Sequence, residues 1–275
     1  MTLKNILVHV DDSEKCEIRL ELAVNLAKQH DAHLSGIYAA QPIYVPPYLT
    51  AEVGPAIFDA QRKAMAEAAK EAEAKFRTIT EAAGVSAEWR YSEGMPADIV
   101  GMHGRYADLV IVGQAMPESN GAADLPDTLV LETGRPILVV PYAGRYPKIG
   151  GRVMVAWNAG REAARAVNDA MPILERADNV TVLAINPEGG IEGHGELPGA
   201  DISLHLARHG VKAEAAHVFA DDVDVGNMLL SRAADASADM IVMGGYGHSR
   251  FREAVLGGAS RLILRHMTVP VLMSH

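Results

Sequence analysis

Short apolar runs alternate along the first half of the chain with longer segments in which apolar residues recur at helical spacing. The runs at residues 5–10, 33–39, 86–91, 109–112 and 137–140 predict strands, and the segments between them, including a long one at residues 55–83, predict helices. A parallel pair of strands needs a crossover connection, which is usually a helix. The pattern therefore predicts an α/β domain with a five-stranded parallel sheet and helices on both faces.

The second half of the chain repeats the first. Three matches carry the repeat: RVMVAWN from Arg152 with NILVHVD from Asn5, ADMIVMG from Ala238 with ADLVIVG from Ala107, and PVLM from Pro270 with PILV from Pro136. A stretch rich in proline and glycine at residues 141–151 separates the two copies and is typical of a linker. The repeat predicts two tandem domains, at residues 1–143 and 151–275, each long enough to bury its own core.

Composition excludes several classes of protein. The 275 residues are 49% hydrophobic and 22% charged, as expected of a globular chain and not of a disordered one. The apolar runs fall far short of the roughly 20 residues that span a bilayer, so no membrane span is expected. The net charge of −10 argues against nucleic acids and anionic membranes as partners. The single cysteine, Cys16, and the lack of a secretory signal pattern favour a cytoplasmic protein.

The loop after the fourth strand of the second half carries the strongest candidate chemistry. Ligands of open parallel sheets bind beyond the carboxyl ends of the strands. This loop has glycines at Gly244, Gly247 and Gly257, and a predicted helix begins close to Gly257. Glycines let main-chain N–H groups approach an anion, and a helix N-terminus adds its own N–H groups and the positive end of its dipole. The loop therefore favours a phosphate.

Two common phosphate-binding motifs are absent from this loop. The chain has no Gly-Lys pair for a Walker loop, and Arg250 stands where the dinucleotide fingerprint requires a glycine. His248 and its basic neighbours could donate charge-assisted hydrogen bonds to phosphates, although a solvated loop edge has the same sequence. His205 and His209 have a metal-ligand spacing, but exposed helix histidines are the simpler interpretation, and we expect no metal site.

The spacing Gly244-x2-Gly247-x9-Gly257 resembles that of the universal stress protein family, whose ATP-binding members carry G-x2-G-x9-G-[S/T] after strand four. The apolar first strand ending near Asp11 and the closing strands led by Pro136 and Pro270 match the family too. The resemblance covers the whole chain as a tandem two-domain member. It implies two flavodoxin-like (adenine-nucleotide-hydrolase-like) α/β domains that pair through their fifth strands, and a homodimer of such chains.

The resemblance also implies a set of nucleotide-binding residues in the second half. Main-chain amides would surround the phosphates and ribose, and residues after the first and second strands would meet the adenosine. Carried over by position, the set is Asn158, Ile185, Gly244, Gly247, His248, Gly257, Gly258, Ala259 and Ser260. Two positions depart from the family pattern: Gly258 replaces a Ser or Thr, with Ser260 two positions along, and Asn158 replaces an Asp.

The first half departs further from the family pattern. It keeps the acid as Asp11, but Met116 and Ala123 stand at the second and third glycine positions, and Glu118 and Asp124 would repel phosphate. We therefore expect the second half to bind the nucleotide and the first half to serve packing or partner contacts.

The functional prediction is an adenine-nucleotide-binding regulatory or sensor protein of the stress response. The expected ligand is ATP, with AMP or ADP as alternatives, and Mg²⁺ accompanies the nucleotide. No catalytic constellation is recognisable, so any ATP hydrolysis would be slow. The alternative function is a nucleotide-free interaction or scaffold protein whose glycine loop is vestigial.

Overall fold

The computed structural model describes residues 2–42, 55–115, 125–187, 198–219, 223–247 and 258–275. The elements of the first half are β1 (Asn5–Val10), α1 (Cys16–His30), β2 (His33–Ala40), α2 (Pro55–Ala83), β3 (Ala87–Glu93), α3 (Pro96–Gly104), β4 (Leu109–Gly113), α4 (Leu125–Glu132) and β5 (Ile137–Val140). Those of the second half are β6 (Arg152–Ala156), α5 (Arg161–Leu174), β7 (Asn179–Ile185), α6 (Ala200–Arg208), β8 (Ala213–Val218), α7 (Val225–Asp235), β9 (Met240–Gly244), α8 (Gly258–His266) and β10 (Val271–Ser274). The predicted alternation of strands and helices is confirmed.

The strands form one ten-stranded sheet in the order β3-β2-β1-β4-β5-β10-β9-β6-β7-β8. Within each half all pairs are parallel, whereas β5 and β10 are antiparallel, with Leu138 opposite Leu272. The predicted fold class, two five-stranded parallel α/β units in tandem, is thus confirmed, and the two sheets join edge to edge. Strand order reverses between β1 and β4 and again between β6 and β9, where ligands bind in this class of fold.

Helices cover both faces of the sheet. The core on one face includes Leu20, Phe76, Ala166 and Leu206, from α1, α2, α5 and α6. The core on the other face includes Val100, Leu129, Leu229 and Ile263, from α3, α4, α7 and α8. Because parallel strands are buried on both faces, their apolar residues run almost without interruption, which is why the strands were recognisable in the sequence.

One aspartate before the fourth strand of each half anchors the first strand of that half. Asp108 Oδ2 accepts hydrogen bonds from the main-chain N–H groups of Lys4 at 2.8 Å and Asn5 at 2.9 Å. Asp239 accepts equivalent bonds from residues 150, 151 and 152, at 2.7, 3.0 and 3.1 Å. The repeat seen in the sequence is therefore also a repeat of structural roles.

Among the described residues, none of the helices combines the length and the hydropathy that a membrane span requires.

Candidate functional site

Three of the predicted site residues lie together at the carboxyl ends of neighbouring strands. Ile185 ends β7, Gly244 ends β9, and Asn158 follows β6, which pairs with both of those strands. The Asn158 Oδ1 atom accepts a hydrogen bond from the N–H of Gly160 at 3.0 Å, across Ala159, whose φ of 57° is left-handed. This Asx turn redirects the chain from β6 into α5. Asp11 makes the same turn in the first half, accepting from the N–H of Ser13 at 3.1 Å.

The first turn of α5 lies directly on Gly244. A Cβ at this position would be 2.6 Å from the Ala163 nitrogen and from the Glu162 carbonyl carbon. Only glycine allows helix and strand to approach so closely. Gly160 caps the helix without a side chain, and the N–H of Glu162 in the first turn donates to the carboxylate of the same residue.

The first turn of α8 reaches the same loop. Ser260, in that turn, is buried, and its Oγ accepts a hydrogen bond from the N–H of Tyr246 at 3.2 Å. Gly258 begins the helix, and a Cβ there would have no neighbour within 4 Å, while Ala259 is half-buried. His248 and Gly257, also predicted site residues, lie outside the described residues. The first turns of α5 and α8 therefore both contact the stretch from Gly244 to Gly247.

A buried carboxylate that sequence reasoning missed lies against Gly247. Glu162 is 6% exposed, and a Cβ at Gly247 would be 2.8 Å from its Oε2 atom. Burial alone would raise the pKa of this carboxyl. Hydrogen bonds from the Arg161 guanidinium, at 2.5 Å, and from its own main-chain N–H, helped by the charges of Arg161 and His275, hold the pKa below its usual range. Glu162 is therefore ionised at neutral pH.

The loops after β4 and β9 each contact the last helix of the opposite half. Tyr246, with a left-handed φ of 56°, donates a hydrogen bond from its hydroxyl to Asp127 in α4. Burial and this carboxylate raise the pKa of Tyr246. Gln114, which is buried, donates from Nε2 to the carbonyls of Leu264 and Arg265 at the end of α8, at 2.9 and 3.0 Å. The two candidate ligand-binding edges are thus tied across the junction of the halves.

The first half has an open cleft of about 880 Å³ at the equivalent edge. Arg19 in its wall is only 4% exposed; its Nη2 forms an ion pair with Asp11 at 2.8 Å, and its Nε donates to the His9 carbonyl at 2.6 Å. Burial opposes ionisation of Asp11, but the Arg19 charge prevails and lowers the pKa of Asp11 to about 2. Burial and Arg19 lower the pKa of His9 to about 4. Gly113 leaves the space that the Arg19 guanidinium fills.

Other residues singled out in the sequence have less specific surroundings. Cys16 is buried in the core, and burial raises the pKa of its thiol, as expected of a packing residue. His205 and His209 are exposed, with ring centroids 4.9 Å apart. Within the described parts of the chain, no three His, Cys, Asp or Glu side chains are close enough to hold a metal ion.

Sequence reasoning had no signal for the position of Glu162. An acidic residue in the first turn of a helix is an ordinary preference, so its contact with a glycine 85 positions along the chain is visible only in the structure. The same holds for the contact of Tyr246 with Asp127, which joins residues 119 positions apart.

Comparison with solved structures shows a shared fold. A universal stress protein from Archaeoglobus fulgidus DSM 4304 has a TM-score of 0.78 at 16% identity, with 99% of this chain and 96% of that chain covered. A putative universal stress protein from Pseudomonas aeruginosa UCBPP-PA14 has a TM-score of 0.56 at 14% identity, with 99% and 93% covered. None of the curated proteins compared with the chain matches it.

The family model supplies the more specific match. The model described as the universal stress protein family matches residues 2–115 and again residues 151–275. The two matches cover most of the chain and correspond to the two copies of the repeat. The chain belongs to the universal stress protein family.

Proposed function

We infer that the second half binds an adenine nucleotide, ATP foremost, and that the protein is a regulatory or sensor protein of the stress response. The observation that carries this inference is the contact of two helix first turns, those of α5 and α8, with the stretch from Gly244 to Gly247. Two helix N-termini that meet at one place, with the positive ends of their dipoles, favour an anion there.

Each predicted residue then has a role in binding. Gly247, Gly258 and Ala259, together with His248 and Gly257, would surround the phosphates through main-chain N–H groups and the His248 side chain. Asn158, exposed after β6, would hydrogen-bond the ribose side of the nucleoside through its amide, and Ile185 would meet the base. Gly244 and Ser260 would act through packing, because α5 covers Gly244 and the Ser260 hydroxyl accepts from Tyr246.

The alternative is a nucleotide-free interaction protein, and one observation favours it. The Glu162 carboxylate is ionised and lies beside Gly247, where a phosphate is expected. An internal anion could satisfy the site permanently and leave no room for a ligand. The two functions differ in what the purified protein carries and in what stabilises it.

The test measures nucleotide content and thermal stability. Protein purified without added nucleotide is denatured, and the supernatant is assayed for adenine nucleotides; the melting temperature is then measured with and without Mg-ATP. We expect bound ATP, without turnover, and a higher melting temperature with Mg-ATP. No released nucleotide together with no thermal shift would favour the scaffold, and steady release of ADP would indicate an enzyme.

A pair of glycine substitutions locates the site. In Gly247→Ala the new methyl group would displace the Glu162 carboxylate toward the phosphates and weaken binding, and Gly247→Val would abolish it. Gly101→Ala, in α3 of the first half, meets only an ordinary contact at 3.6 Å and serves as the control. Equal affinity in all three variants would place the nucleotide elsewhere.

Two further proposals concern the protein as a whole. We expect a cytoplasmic protein, in keeping with its single cysteine, and a homodimer. Light scattering coupled to size-exclusion chromatography checks the second, since a mass near 29.4 kDa would indicate a monomer.

A further inference from the structure

The carboxylate of Glu162 is the one charged group that the structure places against the first two glycines of the proposed phosphate site, among the described residues. Its main chain lies on Gly244, and its Oε2 atom occupies the space in which Gly247 lacks a Cβ. The side chain is 94% buried, so water screens its charge poorly. Arg161, its ion-pair partner within the part of the chain that the structure describes, is largely exposed and therefore offsets that charge only weakly.

A second polar group at the same place has no partner. Ser274 pairs with Gly244 in parallel register, so the two residues face the same side of the sheet, which is the side covered by the first turn of α5. Ser274 is 2% exposed, and its Oγ atom makes no hydrogen bond. A buried hydroxyl without a partner is unusual, and it leaves one polar group beside Gly244 unsatisfied by the described residues.

Charge balance then decides what can enter beside Glu162. A nucleoside triphosphate brings several negative charges to the edge of the sheet where the buried Glu162 carboxylate already lies. Like charges repel strongly where water screens them poorly. Mg²⁺ removes the conflict, because proteins bind it through one or two carboxylates together with substrate phosphates. No described cluster of acidic side chains or histidines could hold the ion by itself, so the phosphates must complete its coordination.

We propose that Glu162 is the protein ligand of a divalent cation that enters with the nucleotide, and that without the cation the same carboxylate excludes polyphosphates from the second half. The inference rests on the proposed nucleotide binding and adds the condition that a divalent cation accompanies the nucleotide. Glu162 sets the specificity of the site for the metal complex of the nucleotide. The charge of the first half at the matching position is opposite, since Lys15 aligns with Glu162.

The experiment compares ATP dissociation constants in excess EDTA and in excess Mg²⁺ for the full chain and two variants. Glu162→Gln keeps the shape of the side chain and removes its charge, and Glu175→Gln, at the other end of α5, removes the same charge far from the site. The wild-type protein and Glu175→Gln are expected to bind ATP at least about tenfold more weakly in EDTA. In Glu162→Gln the two dissociation constants should be nearly equal. Compared with the wild-type protein, this variant should bind ATP more tightly in EDTA and more weakly in Mg²⁺.

A second readout follows the cation itself. Electron paramagnetic resonance of Mn²⁺ in the presence of ATP should report tighter capture of the ion by the wild-type protein and by Glu162→Asp than by Glu162→Gln. The Asp variant retains the charge and guards against a result that reflects only altered packing. Far-ultraviolet circular dichroism of every variant confirms that the fold is retained.

Three outcomes are distinguishable. A ratio of the two constants that collapses only in Glu162→Gln, with loss of Mn²⁺ capture, supports the inference. The same ratio in all three proteins, or unchanged Mn²⁺ capture, overturns it and leaves nucleotide binding intact. No ATP binding by any of the three proteins in Mg²⁺ overturns the proposed function and this inference with it.

Discussion

The two halves share one fold but place opposite charges at the same edge of the sheet. In the first half a buried arginine, Arg19, lies in the cleft and is neutralised by Asp11. In the second half Ala166 and Asn158 stand at the aligned positions, and the buried charge is the carboxylate of Glu162. Among the described residues, the buried charges of the first cleft are paired with each other, whereas the second half has a buried carboxylate beside two helix N-termini.

The two copies of the repeat share their backbone geometry but differ in the charged side chains at the strand ends. Both halves make the same Asx turn after their first strand, and both anchor that strand through an aspartate. The side chains that point from this frame into the cleft are free to differ. Substitutions and changes of pH can test this difference between the halves one interaction at a time.

The largest effect is expected for the buried ion pair. Arg19→Met removes the partner of Asp11 and should lower the free energy of unfolding by about 3 kcal/mol, because it leaves an uncompensated carboxylate in a largely buried place. Urea unfolding followed through Trp89, in β3, reports the loss in the first half. Changing Asp11→Asn together with Arg19→Ala copies the second half and should cost less than the sum of the two single changes.

The matched control is Arg77→Met, which breaks an exposed ion pair with Glu73 in α2. Such pairs contribute less than about 1 kcal/mol. Equal losses in Arg19→Met and Arg77→Met would mean that the charge in the first cleft is solvated and that the two halves do not differ as described.

Acid should weaken the first half before the second. The pKa of His9 is lowered to about 4 by burial and by Arg19, and that of His30 to about 4 by burial and by Arg176. As the pH falls from 6.5 toward 4, the unfolded chain binds protons that the folded one does not, so the free energy of unfolding decreases. The contribution of His9 to stability is complete above pH 6.5, and its loss by pH 4 is on the order of 3 kcal/mol.

Tryptophan fluorescence can report on each half separately, because Trp89 lies in the first half and Trp157 in the second. Single-tryptophan variants, Trp157→Phe and Trp89→Phe, should show an earlier acid transition for the probe in the first half. In a His9→Gln background the decrease of the unfolding free energy between pH 6.5 and 4 should become smaller, and His30 should account for the part that remains. If the unfolding free energy depends on pH as steeply in His9→Gln as in the protein that retains His9, then His9 is protonated in the folded protein.

The contacts across the junction are expected to have a smaller effect. Gln114→Leu deletes two hydrogen bonds to the end of α8 and removes the side-chain donor to the buried Leu264 carbonyl and to the partly buried Arg265 carbonyl, for a loss of about 1.5 kcal/mol. The loss should appear for both tryptophan probes, because the contact joins the halves. A change confined to the probe in the first half would mean that the halves unfold independently of this contact.

The smallest effect concerns the turn into α5. Ala159 adopts a left-handed φ of 57°, which costs a side chain roughly 1 kcal/mol that glycine does not pay. Ala159→Gly should therefore leave stability unchanged or raise it by a few tenths of a kcal/mol after the entropy of the unfolded glycine is included. A loss of more than about 1 kcal/mol, measured by urea unfolding, would contradict the description of this turn.

Patterns in the sequence were sufficient for the frame and not for the interior of the site. The long helix α2 has the predicted bounds, and the apolar strands of both halves were recognisable because burial on two faces leaves long apolar runs. The spacing of the glycines predicted a phosphate-binding loop, of which the structure describes residues 244–247 and 258. Its neighbour Glu162 was not predicted, because no periodicity relates a helix start to a loop far along the chain, and only the close approach of α5 to Gly244 brings them together.

We expect each chain to bind one nucleotide, in its second half. Isothermal titration of the full chain with ATP in Mg²⁺ tests it most directly, by stoichiometry and by its response to Gly247→Val. The account predicts one ATP for each chain, with heat of binding lost in the variant. Two ATP molecules for each chain, or one that Gly247→Val still binds, would contradict it.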